Sequence, residues 1–338
     1  MTRGQADIDA NPAGTTFCLA GTHAWTLTPK AGDALVGPAV LDGGNALQYA
    51  IEANADNVSV SNLEIRNYRL ADQQGAVHVP DSAAATGWVL SNLRVHDNGS
   101  AAGGSGANLG NGWRVEGGRY YNNRQEGLGG QVGDNIVVDG VEIDHNDFTD
   151  DNYTTRNVSC GYEAGGFKWV ANNVTVRNSS IHDNACKGLW SDINANGITI
   201  TGNQVYNNWD EGIFIEISSN ATISGNTVTN NGWHNYNGGG SGCPWLFGGG
   251  ITLNSSDHVT VIANNVAGNC NGITGIQQDR PDGNPGLLAY FSVTGNTIAG
   301  PGGVTGVAED NGADLAGRTI VFTNNTLLNG MPFCGLNC

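Results

Sequence analysis

The chain has 338 residues, 52 of them Gly, with 39% hydrophobic and only 13% charged residues, a composition that excludes a charge-rich disordered chain and, being poor in helix formers, a helical globule. A net charge of −17, with 14 Lys+Arg against 31 Asp+Glu, excludes nucleic acid and anionic membrane surfaces as partners. There is no apolar run of the roughly 18 residues needed to cross a bilayer, and the opening Met1-Thr2-Arg3-Gly4 has no apolar signal core, so a mature, secreted protein without its leader is expected.

In chain order, residues 1–50 hold scattered apolar positions (Phe17, Leu19, Trp25, Leu27) and are expected to form an N-terminal cap and first coil, since an uncovered strand edge invites pairing. From Val58 onward one pattern recurs: Val58 to Ile65, Trp88 to Val95, Trp113 to Tyr120, Ile136 to Ile143, Val174 to Ile181, Ile198 to Val205, Thr222 to Val228, Val259 to Val266, Phe291 to Ile298 and Ile320 to Leu327. Each reads as an alternating strand, a bend and a second short strand. The second apolar residue of each repeat is Val60, Leu90, Val115, Val138, Val176, Ile200, Ile223, Val261, Val293 and Phe322. The shortest interval, 23 residues from Val115 to Val138 and from Ile200 to Ile223, is one coil; longer intervals carry insertions. Trp88 and Trp113 fall on inward positions and are expected in the core.

An Asn-rich corner follows each second strand: Asn98, Asn123, Asn146, Asn184, Asn208, Asn231 and Asn269. These are expected to stack as a hydrogen-bonded ladder and to tolerate left-handed backbone angles. A third strand follows the corner, clearest at Gly188–Asp192 and Gly212–Glu216, where alternation points Leu189, Ser191, Ile213 and Ile215 inward.

These repeats resemble the right-handed parallel β-helix of the pectin-lyase-like superfamily over residues 50 to 330. The resemblance implies an all-β, single-stranded solenoid of about ten to twelve coils, read as one domain over 1–338 with a tail from 331. Pectate lyases, polygalacturonases, alginate epimerases, phage tailspike glycosidases and non-enzymatic adhesins share the fold, so it is specific for architecture and weak for function.

Counting back from each anchor to the outward position of the third strand gives a polar column, Gln131, Lys168, Asp192, Glu216 and Asn254, with Gln277 and Glu309 in extension. Lys168, Asp192 and Glu216 are spaced by 24 residues each time and should stack on consecutive coils, with Trp190 and Phe214 facing the same way. The two largest insertions, 147–163 and 232–248, precede the strands of Lys168 and Asn254. They bring Tyr162 on one side and Trp233, His234, Tyr236 and Trp245 on the other, flat faces suited to sugar rings. The expected chemistry is that of paired carboxylates: Asp192, kept charged by Lys168, as nucleophile or base, and Glu216 beside Phe214 as acid. The bland alternative is charge pairing on a solvated face, worth under about 1 kcal/mol.

Seven cysteines with no zinc spacing point to structural disulfides and export; the pairs expected are Cys160–Cys186 and Cys243–Cys270, with Cys334 and Cys338 pairing locally and Cys18 left over. No cofactor is expected. Asp147, Asp150, Asp151 and Glu163 could hold calcium, though an ordinary solvated loop explains them better. Three functions remain open: a glycoside hydrolase using Asp192 and Glu216, a uronate lyase or epimerase with Lys168 in the site, and a non-catalytic carbohydrate-binding or adhesin module. The partner in every case is a polysaccharide or oligosaccharide, bound by a monomer.

Overall fold

The structure is a computed structural model that describes residues 4–80, 85–131, 133–234, 243–278, 286–300, 303–309, 315 and 317–336. Among them the only helix is the short Gln5–Ala10, which buries Ile8; the rest is strand and turn. The chain groups into two compact units, Met1–Ala171 and Asn172–Cys338. In both, parallel strands make the coils of a right-handed β-helix.

The register follows the repeat. In the first unit Leu35 sits beside Val60, Val60 beside Leu90, Leu90 beside Val115 and Val115 beside Val138. In the second, Val176, Ile200, Ile223, Val261, Val293 and Phe322 are successive partners. A residue whose side chain points inward on one coil therefore meets its counterpart on the next, and each row of Val, Ile and Leu buries itself without any contact distant in the stack. Trp88 and Trp113 stack 4.6 Å apart at 4° in the core, and each indole N–H is satisfied, by the carbonyls of Ala55 and Ala85. The coils begin before residue 50, because Phe17 already pairs with Leu35 and Cys18 with Val36.

The corner asparagines form the expected ladder. Asn98 donates to Asn123 and Asn123 to Asn146 in the first unit; in the second, Asn184 donates to Asn208, Asn208 to Asn231 and Asn231 to Asn269. Their backbone role differs from expectation. The left-handed conformation belongs to the residue just before each rung, Asp97, Asn122, His145, Asp183, Asn207, Asn230 and Gly268, and the rungs themselves are buried. The turn is made by one residue so that the next can point its amide inward along the stack. A second ladder, Asn203 to Asn226 to Asn264 to Asn296 to Asn325, runs through the bend between the first two strands.

Both insertions are tied to the coils they leave. In the first, Arg124 donates to the Phe148 carbonyl at 2.6 Å and the Asn157 side chain to the Arg124 carbonyl at 2.7 Å, while the buried Asp147 accepts the Val158 amide. In the second, a Cys243–Cys270 disulfide closes the base, and the Asn271 side-chain amide donates to the carbonyls of Pro244, Trp245 and Phe247. Cys160, Cys186 and Cys334 are also disulfide-bonded, and Cys18 is free and exposed.

Candidate active site

In the second unit the third strands Lys187–Ser191, Ile213–Glu216 and Gly249–Asn254 lie side by side. Trp190 pairs with Phe214 and Ser191 with Ile215, which brings Asp192 and Glu216 level on neighbouring coils; Glu216 in turn pairs with Asn254. Leu189, Ile213 and Ile215 are fully buried beneath them, as alternation requires. Parallel strands lie about 4.8 Å apart, so the two carboxylates share one stretch of surface.

Glu216 is held from both sides. The Trp190 indole donates to Oε2 at 3.0 Å and the Asn254 amide to Oε1 at 3.4 Å. Asn254 also donates to Gln278 at 2.8 Å and accepts from Ser255, which fixes the amide so that its NH₂ faces the carboxylate. Asp192 accepts the Ile193 amide at 2.8 Å. Trp190 and Phe214, expected as sugar platforms, are each only 3% exposed. The Lys187 ammonium lies 4.6 Å from the Trp190 ring centre and 5.2 Å from that of Phe214. Lys187 is itself buried and paired with Asp210 at 2.9 Å and Glu211 at 3.7 Å. Burial opposes its charge, but Asp210 and Glu211 outweigh burial and raise its pKa. Burial, together with Asp210, pushes Glu211 up to about 8.

This buried Lys187–Asp210–Glu211 cluster was not anticipated. A signal existed: Lys187 and Glu211 each fall three residues after a ladder asparagine, Asn184 and Asn208, and Glu126 does so after Asn123. In the second unit Lys187 and Glu211 lie on neighbouring coils, each five residues nearer the corner than Asp192 and Glu216 of the expected column.

Lys168 lies in the first unit, where its ammonium donates to Glu163 at 2.6 Å. The register corrects two members of the column. Gly129, and not Gln131, is level with Lys168; Gln131 instead donates to the other oxygen of Glu163, so Glu163 gathers both. Opposite Asn254 stands Ile276, not Gln277. Gly275 takes the inward position there, so Ile276 turns outward beneath Leu246 and Phe247 of the insertion. Gln277 is spent on the carbonyls of Gln278 and Gly286 and the amide of Leu288.

The aromatic side chains of the two insertions differ in exposure. Trp233 and Trp245 are 43% and 45% exposed, with the Trp233 indole on the Gly268 carbonyl. His234 stacks on Trp209 at 4.4 Å, and Tyr236 lies outside the described residues. Tyr162 is exposed, its hydroxyl held by Asp72 and Gln73. Asp147, Asp150, Asp151 and Glu163 do not converge: among the described residues they form no group of close oxygen ligands. Asp147 is turned into its own loop, Asp150 binds Thr154 and Asn152, and Glu163 is engaged by Lys168 and Gln131.

A family model described as the right-handed beta helix region matches residues 49–243. No curated protein matches by sequence. Among solved structures, the chain is similar to the A-module of the Azotobacter vinelandii mannuronan C-5 epimerase AlgE6, at 15% identity and a TM-score of 0.57, covering 98% of this chain and 94% of that one. It is similar to XylC in complex with xylose, at 14% and 0.55, covering 84% of this chain and 55% of that one. The periplasmic alginate epimerase AlgG is similar at 12% and 0.54, covering 92% and 77%. Likeness at these identities is likeness of fold.

Proposed function

Because this chain belongs to the right-handed beta helix family, we propose that it is an exported carbohydrate-active enzyme that hydrolyses glycosidic bonds of a polysaccharide. Asp192 and Glu216 are its reacting carboxylates. The observation that carries this reading is their placement level with one another on adjacent coils, on the face where the disulfide-closed insertion rises beside Asn254. Paired carboxylates flanking a scissile bond divide the work of acid and of base or nucleophile.

The hydrogen bonds suggest which does which. An indole N–H can only donate, so Glu216 Oε2 must accept, and its other oxygen faces the Asn254 NH₂. Acting as acid, Glu216 would have to carry a proton on an oxygen already facing a donor; acting as base or nucleophile it keeps both contacts. Glu216 is therefore assigned the base or nucleophile role and Asp192 the proton-donor role, the reverse of the order expected from sequence. The disulfides favour an oxidising compartment, and the charge of −17 favours a neutral or weakly charged polymer.

The second reading, a uronate lyase or epimerase, draws support from Lys168, a buried cation fixed by Glu163 that could neutralise a substrate carboxylate. A polysaccharide panel separates them. Hydrolysis predicts new reducing ends without an unsaturated uronate, lost by about 10³-fold or more in Asp192→Asn and Glu216→Gln and retained in Lys168→Met. Products that absorb as unsaturated uronates, or activity that follows Lys168 and ignores both carboxylates, would overturn it.

A further inference from the structure

We propose that Lys187 is a positioning residue for Glu216: its ammonium, seated against the faces of Trp190 and Phe214, polarises the Trp190 indole so that its N–H grips the reacting carboxylate. The inference rests on the assignment of Glu216 to the site.

The geometry forms a chain of three links. Asp210, 2.9 Å from Nζ, anchors the ammonium from the corner, with Glu211 beside it at 3.7 Å. From there Nζ lies 4.6 Å from the Trp190 ring centre, inside the range of cation–π attraction. The edge of that ring places its N–H 3.0 Å from Glu216 Oε2. A cation over the face of an indole draws electron density from the ring, which makes the N–H a stronger donor. The same cation also favours the ionised form of Glu216 through space, and Glu216 is among the charges that act on Lys187. Because the ring is only 3% exposed, water screens neither effect strongly. A Lys–Asp pair kept only for stability is poorly explained by this placement, since an apolar pair of similar volume is often as stable.

Removing Lys187 alone would strand Asp210 in the interior, so the test uses the charge-neutral pair Lys187→Met with Asp210→Asn, and Lys187→Arg, which keeps the cation. The charged groups facing Lys187 are Asp210 and Glu211 from the corner and Glu216 from the next coil; Asp192 lies level with Glu216. Relative to wild type, the neutral double variant is expected to lose about 10- to 100-fold in kcat with KM changed less than about threefold. Its acidic pH–rate limb should move upward as Glu216 becomes harder to ionise, and Lys187→Arg should restore most of the rate and the limb. A merely structural role would move thermal stability and leave the limb in place. The indole proton of Trp190, assigned by its loss in Trp190→Phe, gives a readout without turnover. It should lie downfield in the wild type and shift upfield in both the double variant and Glu216→Gln. An unmoved limb and an unmoved indole resonance in a folded double variant overturn the inference; should that variant not fold, an indole resonance unchanged by Glu216→Gln overturns it in the wild-type background. Full turnover in Glu216→Gln instead removes the functional reading on which it rests.

Discussion

Glu211 sits buried at the corner before the Ile213–Glu216 strand, one carboxyl oxygen accepting the Gly248 amide at 2.9 Å and the other 3.7 Å from the Lys187 ammonium. Burial first, and Asp210 next, lift its pKa from an ordinary 4.5 to about 8. The folded protein therefore holds a proton through the window from about pH 4.5 to 8 that the unfolded chain gives up. The stability that proton contributes is complete below the lower value and is lost as pH rises towards the upper one. Glu211→Gln keeps an acceptor for Gly248 and removes the titration. Melting curves from pH 5 to 8 should thus decline less steeply for the variant than for the wild type, and parallel declines would show that the proton is not held there. Lys187 and Glu211 were not legible because both lie where the chain leaves the corner, Lys187 at the first residue of its strand and Glu211 two residues before its own, where period-two alternation does not yet assign a face.

At the scale of elements, the rungs and the residues before them divide the corner's work. Asn208 donates to Asn231 and to the Ile181 carbonyl, and accepts the Asn184 amide; Asn207, one residue earlier, supplies the left-handed turn at φ 55°. Asn208→Ala strands neighbours above and below in a dry stack, at a cost of about 2 kcal/mol or more. Asn207→Gly meets the same backbone demand and should change stability by under about 0.5 kcal/mol. Chemical denaturation of the two variants checks the division, and equal losses would contradict it. The anchors from Val60 to Phe322 were legible because an inward row must be apolar and its period survives insertions. The second ladder was also written in the chain, since Asn203, Asn226, Asn264, Asn296 and Asn325 each follow an anchor by three residues. It was hidden because a Gly-Asn or Asn-Asn pair reads as an ordinary turn. Register at Ile276 was not legible: Ile273-Thr274-Gly275-Ile276 fits either phase of alternation, and only Leu246 and Phe247, which cover Ile276, decide it.

Across the whole molecule, the coil supplies rows and the insertions decide which row becomes a site. A polar column is obligatory on any outward face, so carboxylates at Asp192 and Glu216 were visible in sequence without their hydrogen bonds, and in the proposed function it is those bonds that reverse the roles expected of the two. The charge of −17 makes the surface repel polyanions. In the proposed function Glu216 reacts with substrate and does not merely line a surface. It is tested most directly by Glu216→Gln, measured for turnover on the best polymer of the panel and, by calorimetry, for binding of an oligosaccharide from it. Turnover should fall by about 10³-fold or more with affinity within a few-fold of wild type; turnover that survives the substitution, or turnover and affinity that fall together by the same factor, would contradict a reacting role for Glu216.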